Sequence, residues 1–323
     1  MNELVSIIIP CYNGEKFIER AINSVMMQDY DNIELIVVDD GSTDNSKGVI
    51  LKLKEAFDTD NRVLKYIYQS NLGLGAAINT GLKHVTGRYL SLLDADDEYL
   101  QGCVRERVEY LHSNDEIALV RSNGYIVDGD NKRLFVNDES EKNNKSIFDD
   151  LVCGRTNNWA GSYMLRTDML FDFYPDRNIY ISRYGQNLQL MLPASYKREC
   201  RFIDKPHMNY IHQTYSLSQA QDKKQKLKKE VENCYGYTDI RKHMVNIIIK
   251  DNSEKSYYLN IIQENCILSL YSIAISYNEI GLLKKFYRET DHKSINTKIV
   301  YYNYIFKPYS LFLRLIRKIF RVN

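Results

Sequence analysis

The sequence predicts an α/β fold, a mostly parallel central sheet flanked by helices, followed by a helical C-terminal extension. Three observations predict it. Over the first hundred residues, short β-branched apolar runs alternate with segments of helical spacing. Two of those runs end directly in clusters of acids. From about Lys223 the composition shifts to "KKQKLKKEVENC", and helical spacing continues to about residue 290. The expected division is therefore residues 1–222 and residues 223–323.

Each element has its own signal. "LVSIIIP" (4–10) is a buried strand by length and β-branching, and Phe17, Ile18, Ala21, Ile22 and Val25 then repeat at helical spacing. "IELIVVDD" (33–40) is the second strand. "GSTDNS" (41–46) turns the chain and offers Ser, Thr and Asp as caps for a helix through about Phe57. "VLKYIYQ" (63–69) is the third strand, residues 76–84 a short helix closed by Gly87, and "RYLSLLD" (88–94) the fourth strand. Continuous apolar strands separated by helices imply a parallel sheet covered on both faces, with ligands beyond the strands' carboxyl ends. "IALVRSNGYIVDGDNKRLFV" (117–136) reads as a hairpin, and 140–225 is mixed.

Composition excludes several classes. With 44% hydrophobic and 26% charged residues in 323, the chain reads as soluble and globular. A formal net charge of +1 provides no field for nucleic acid. The six cysteines are widely spaced, without a CxxC pair, and are expected to be reduced thiols. The N-terminus runs straight into a strand, so no signal peptide is expected, and no stretch of about 18 apolar residues predicts a spanning helix. The expected location is the cytoplasm.

The chemistry is expected in "LSLLDADDEYL" (90–100). Capping could explain Asp97 or Asp44 singly, but Asp94, Asp96 and Asp97 together raise one another's pKa and oppose folding. A hard divalent cation, magnesium or manganese, resolves the conflict, since such ions take one or two carboxylates and leave the rest to water and substrate phosphates. Asp39 and Asp40, beside "PCYNG", would then face the base and ribose of a nucleotide. A dinucleotide-binding dehydrogenase would need GxGxxG after the first strand, where this chain has Cys11-Tyr12-Asn13-Gly14; "GLGAAI" (73–78) has Ile78 in place of the third glycine.

Together, "VSIIIPCYNGEKFIERAINSVMMQDYDNIELIVVDDGSTDNS" and "NLGLGAAINTGLKHVTGRYLSLLDADD" resemble the family-2 glycosyltransferases of bacterial surface-polysaccharide synthesis. The resemblance is dense over 4 to about 115 and loose over 150–220. It implies a GT-A fold, a nucleotide-diphosphate-sugar donor, a divalent metal, a saccharide or lipid-linked acceptor, and transfer with inversion at the anomeric carbon. By that resemblance Pro10, Tyr12 and Asn13 line the base pocket, and Asp40, with Asp39 beside it, contacts the base. Asp94 and Asp96 form the DxD, and Asp96 or Asp97 holds the metal under the diphosphate. "YIHQTYSLS" (210–218) resembles the segment that closes over the diphosphate, which makes His212 a candidate metal or phosphate ligand; His207 is expected only to pack.

Two departures from the family pattern follow. Ile78 stands where many relatives carry an arginine. Asn187, in "YGQNLQLMLP", stands where relatives carry the Asp that deprotonates the acceptor, and an amide cannot take that proton. Asp172 and Asp176 are nearby candidates for the base. The competing expectation is a nucleotide-sugar-binding protein that has lost catalysis.

The tail, 298–323, has no acid. Beyond Pro308, Arg314, Arg317, Lys318 and Arg321 fall on one helical stripe, with Leu311, Phe312, Leu315, Ile316, Ile319 and Phe320 on the other faces. That make-up predicts a helix lying on an anionic membrane surface, and with it peripheral attachment at the inner face.

Overall fold

The computed structural model describes residues 2–157, 159–212, 222–290 and 294–305. The chain divides into two compact units, Met1–Ser216 and Leu217–Asn323.

The first unit begins with β1 (Val5–Cys11), α1 (Ile18–Met26), β2 (Ile33–Asp40), α2 (Ser46–Phe57), β3 (Arg62–Gln69), α3 (Leu74–Lys83) and β4 (Tyr89–Leu92). β1 pairs in parallel with both β2 and β4, and β2 with β3. Every residue of β1 and β2 is buried, which is why both read as unbroken apolar runs. β3 forms the sheet's edge and is only partly covered. α1 lays Ile18, Ala21, Ile22 and Val25 into the core. α3 lies so close to β1 that a Cβ at Gly81 would stand 2.7 Å from Ile8 Cγ2.

The chain continues through β5 (Glu98–Tyr99), α4 (Cys103–His112), the antiparallel hairpin β6 (Leu119–Asp128) and β7 (Asn131–Leu134), α5 (Glu139–Asn143), α6 (Phe148–Cys153), β8 (Tyr163–Arg166), α7 (Thr167–Phe173), α8 (Gln186–Ser195) and β9 (Cys200–Ile211). Among the described residues nine strands make one sheet in the order β3-β2-β1-β4-β8-β6-β9-β5, with β7 beside β6. β8 runs antiparallel to both β4 and β6, and β5 antiparallel to β9, so the sheet is mixed beyond β4.

The "GSTDNS" stretch caps α2 through one of its acids: Asn45 stands at the cap position without a side-chain bond, and Asp44 Oδ1 accepts from the first helical N–H, that of Ser46 (3.0 Å). The side chains of Ser42, Asp44 and Ser46 also tie the loop after β2 to the loop after β1.

The second unit contains α9 (Lys223–Ile248), α10 (Asn252–Ser276), α11 (Ile280–Glu289) and α12 (Ile295–Ile305). Cys266, Ile267, Leu270, Tyr271, Ala274, Leu283 and Phe286 form its core. Among the described residues no helix is long and apolar enough to cross a membrane. Residues 306–323, which carry the predicted membrane-facing stripe, lie outside the described residues.

Candidate active site

The carboxyl ends of β1, β2 and β4 lie side by side, and the loops that follow them form the floor of the site. Asn13 adopts a left-handed conformation (φ 50°), which Asn tolerates better than most residues. Its backbone N–H donates to Ser42 Oγ (2.9 Å), and its side-chain Oδ1 accepts from the Thr43 N–H (2.8 Å). Gly14 N donates to Ser46 Oγ (2.8 Å), and Glu15 N to Asp44 Oδ2 (3.0 Å). The two loops are thus zipped together. Pro10 is buried within the strand, and Tyr12, just past the carboxyl end of β1, is 53% exposed.

Both acids ending β2 are buried and serve as loop anchors. Asp39 accepts from Ser42 N (2.8 Å) and from the Tyr66 hydroxyl (2.8 Å). Asp40 accepts from Gln69 Nε2 (2.7 Å), Leu72 N (2.9 Å) and Gly73 N (2.8 Å), and so fixes the bend that starts α3. Gly41 follows at φ +77°, where a Cβ would stand 2.6 Å from Asn71 N. Ile78 is buried on α3.

The "DADD" turn closes β4 onto β5, with Asp97 N donating to the Asp94 carbonyl (3.1 Å). Asp97 is 1% exposed. Its Oδ1 accepts from Ile211 N, at the end of β9 (2.9 Å), while its Oδ2 is buried without any hydrogen-bond partner. Burial, with Asp94 next to it, pushes the Asp97 carboxyl up to about 9. Burial and the neighbouring Asp96 push Asp94 up to about 7, and burial raises Asp96 as well. Three acids are held where ionisation is costly, and one oxygen is left bare. Asp97 therefore caps no helix.

The cation at hand is Arg20, on α1, which no pattern in the sequence singles out. Its guanidinium donates to the Asp96 carbonyl and stands 3.8 Å from Glu98. His212, exposed just beyond β9, donates its backbone N–H to Val127 O (2.8 Å) and follows the residue bonded to Asp97. Among the described residues no three His, Cys, Asp or Glu side chains are arranged to hold a metal by themselves. The expected set of Asp94, Asp96, Asp97 and His212 is therefore not a preformed cage. The bare Asp97 Oδ2 still suits a hard cation that draws most of its ligands from phosphate and water.

Asn187 comes to the same place by another route. It lies in the first turn of α8, which Gly185 opens at φ +68°. Its Oδ1 accepts from the buried Tyr163 hydroxyl (2.8 Å). Burial, and then the nearby Asp94 charge, hold that phenol well above its usual pKa, so it stays a donor. A donor on Oδ1 turns the amide's NH₂ group the other way. Tyr163, also missed from sequence, is thus the link between Asp94 and Asn187. The fully buried Arg107 steadies the backbone that carries it, donating to Tyr163 O (3.5 Å), Gly161 O (2.7 Å) and Ser122 Oγ (2.5 Å). No periodicity marks either residue; only the fold brings them here.

Asp172 stands exposed on α7. Asp176 lies in an exposed turn beside Arg177, whose Nη1 donates to Val85 O (2.8 Å), between the end of α3 and the amino end of β4. From there the chain runs back along α3, pinned by Asn79 to Ile179 (2.8 and 2.9 Å), before reaching Asn187. His207 is fully buried against Glu106 (3.1 Å), and burial and the Arg107 charge push it down to about 4, a packing role.

A half-parallel, half-mixed sheet with carboxylates on the turn after its fourth strand defines the class of GT-A-type nucleotide-diphospho-sugar transferase folds. Comparison with known proteins makes this specific. The sequence profile described as "Glycosyl transferase family 2" matches residues 6–172, and the chain belongs to that family. An uncharacterized glycosyltransferase of Nostoc is 36% identical over 148 residues, 46% of this chain and 44% of that protein. Glycosyltransferase GlyA of Streptococcus pneumoniae is 40% identical over 114 residues, 34% of this chain and 16% of that protein. The matched region thus spans less than half the length of these relatives. Among solved structures, S. aureus TarS 1-349 in complex with UDP-GlcNAc superposes with a TM-score of 0.62 at 19% identity, covering 88% of this chain and 80% of that one. Mannosyltransferase PcManGT from Pyrobaculum calidifontis, in complex with GDP-Man and Mn²⁺, gives 0.57 at 15% identity, covering 97% and 83%. These likenesses concern the fold.

Proposed function

We propose that the protein transfers a sugar, with inversion, from a nucleotide-diphosphate donor, a UDP-sugar, to a saccharide or lipid-linked acceptor in cell-surface polysaccharide synthesis. The observation that carries the reading is the "DADD" turn, where burial raises the pKa of three neighbouring carboxyl groups and leaves one oxygen, Asp97 Oδ2, buried without a partner. Family membership, and neighbours in complex with UDP-GlcNAc and GDP-Man, support a nucleotide-sugar donor.

In this reading Pro10, Tyr12 and Asn13 line the base pocket, and the anchored Asp39 and Asp40 present their remaining lone pairs to the nucleotide. Asp96 and Asp97, with Asp94 and His212 beside them, would hold Mg²⁺ or Mn²⁺ against the diphosphate. When bound, that ion supplies charge neutralisation to the departing nucleoside diphosphate. Arg20 keeps the turn in place through the Asp96 carbonyl. Asn187, oriented by Tyr163, offers its NH₂ group to an acceptor oxygen and aligns that hydroxyl without taking its proton. The unacidic, basic tail would bring the chain to an anionic membrane where lipid-linked acceptors reside.

Asn187 also favours a second reading, a nucleotide-sugar-binding protein that no longer turns over. Release of nucleoside diphosphate from a panel of donor sugars, with manganese and a membrane extract, separates the two. Turnover with one donor supports transfer; retained nucleotide binding without turnover on any donor supports the binding protein.

A further inference from the structure

Away from the sugar-transfer site, the second unit places two thiols face to face. Cys234 on α9 and Cys266 on α10 lie 32 residues apart in sequence, yet their sulfurs are 3.9 Å apart. The Cys234 thiol also reaches the Cys266 carbonyl (3.7 Å). A disulfide needs a sulfur separation of about 2.05 Å, so closure requires the two to approach by roughly 1.9 Å, within reach of side-chain rotation and slight helix movement. Cys266 also lines a cavity of about 1000 Å³ that is open to solvent, walled by Tyr235, Gln263, Ile267, Phe286 and others. A small, uncharged oxidant can therefore reach a side chain that is otherwise in the core.

We infer that Cys234 and Cys266 form a peroxide-responsive pair, in which Cys266 is the thiol oxidised first and Cys234 resolves it into a disulfide bridging α9 and α10. The surroundings separate the two roles. The hydrogen bond shared with Cys234, outweighing burial and helped by the Lys242 charge, pushes Cys266 down to about 6. Giving that same hydrogen bond raises Cys234. A low-pKa thiol at a cavity wall, beside a second, half-buried thiol, is the arrangement that favours oxidation through a sulfenic acid.

The chemistry balances with hydrogen peroxide as the oxidant. The Cys266 thiolate attacks one peroxide oxygen; an S–O bond forms, the O–O bond breaks, and hydroxide leaves. The Cys234 sulfur then attacks the Cys266 sulfur; the S–S bond forms, the S–O bond breaks, and the departing hydroxide leaves with the Cys234 proton as water. Two thiols and one peroxide give one disulfide and two waters.

The chain carries internal controls, since burial pushes Cys11 and Cys103 up to about 11 and Cys200 up to about 12. The test treats the reduced full-length protein, under native conditions, with a few equivalents of hydrogen peroxide, followed by a non-reducing peptide map. The expected result is a Cys234–Cys266 cross-linked peptide, with the loss of two hydrogens, appearing at least tenfold faster than any oxidation of Cys103 or Cys200. Cys234→Ser should leave a sulfenic acid at Cys266 that dimedone traps, and Cys266→Ser should give neither product. The idea is overturned if the wild-type map contains no such cross-link, or if Cys266 oxidises no faster than Cys103. Both of these measurements are made on the wild-type chain, so they decide the question even where a variant fails to fold.

Discussion

Removing the Asp97 charge should flatten the pH dependence of stability of the metal-free protein. Its carboxyl is held at about 9, against an ordinary value of 3.8. Between those values the folded state keeps a proton that the unfolded state has released. Stability from this group is therefore complete below about 3.8 and is lost as pH rises toward 9. From pH 4 to pH 7 the span is about three units, or about 4 kcal/mol at 1.36 kcal/mol per unit. Relaxation and water entry around the turn reduce this to about 2 kcal/mol. For a unit of 216 residues, that corresponds to a Tm change of about 4–8 °C. Asp97→Asn keeps the oxygen that accepts from Ile211 and abolishes the titration. Thermal melts at pH 5, 6, 7 and 8, in chelator, should show the wild-type Tm falling with pH more steeply than the variant's by about that amount. Manganese at saturating concentration should raise the wild-type Tm at pH 8 by more than at pH 5 and leave the variant little changed. Parallel melting curves for the two proteins, or a manganese shift equal in both, would refute the assignment of the "DADD" turn as a cation site.

Asp96→Asn should reduce transfer at least 10²-fold while the far-ultraviolet circular dichroism stays native, because the group supplies charge rather than packing; a steady-state assay of nucleoside diphosphate release measures it. Asn187→Asp preserves the acceptor for the Tyr163 hydroxyl and adds a proton-accepting group, so turnover should be kept or rise; a loss of more than about tenfold would show that the amide NH₂ is required. Tyr163→Phe frees that amide and should raise the acceptor KM more than the donor KM, whereas Asp176→Asn, in an exposed turn, should leave both constants within about twofold. Ending the chain at Ile305 removes the basic tail and should abolish co-sedimentation with anionic vesicles but not with neutral ones; equal binding by both lengths would end the membrane proposal.

Local pattern settled much of this protein. Apolar runs bounded by Gly, Asp and Asn are short-range signals, so β1, β2 and α1 lie where the sequence places them. The "DADD" acids stood out because adjacent like charges after an apolar strand demand a reason, whatever the rest of the chain does. The departure at Asn187 was equally visible, as a residue type within a stretch. What the sequence could not show is which distant residues meet there. Tyr163 reaches Asn187 only because β8 runs antiparallel beside β4, and Ile211 meets Asp97 only because β9 returns to pair with β5. Strand and helix periodicity arise from bonds between near neighbours and are written along the chain. Site geometry arises from pairings between strands 75 or more residues apart, which only the tertiary structure decides.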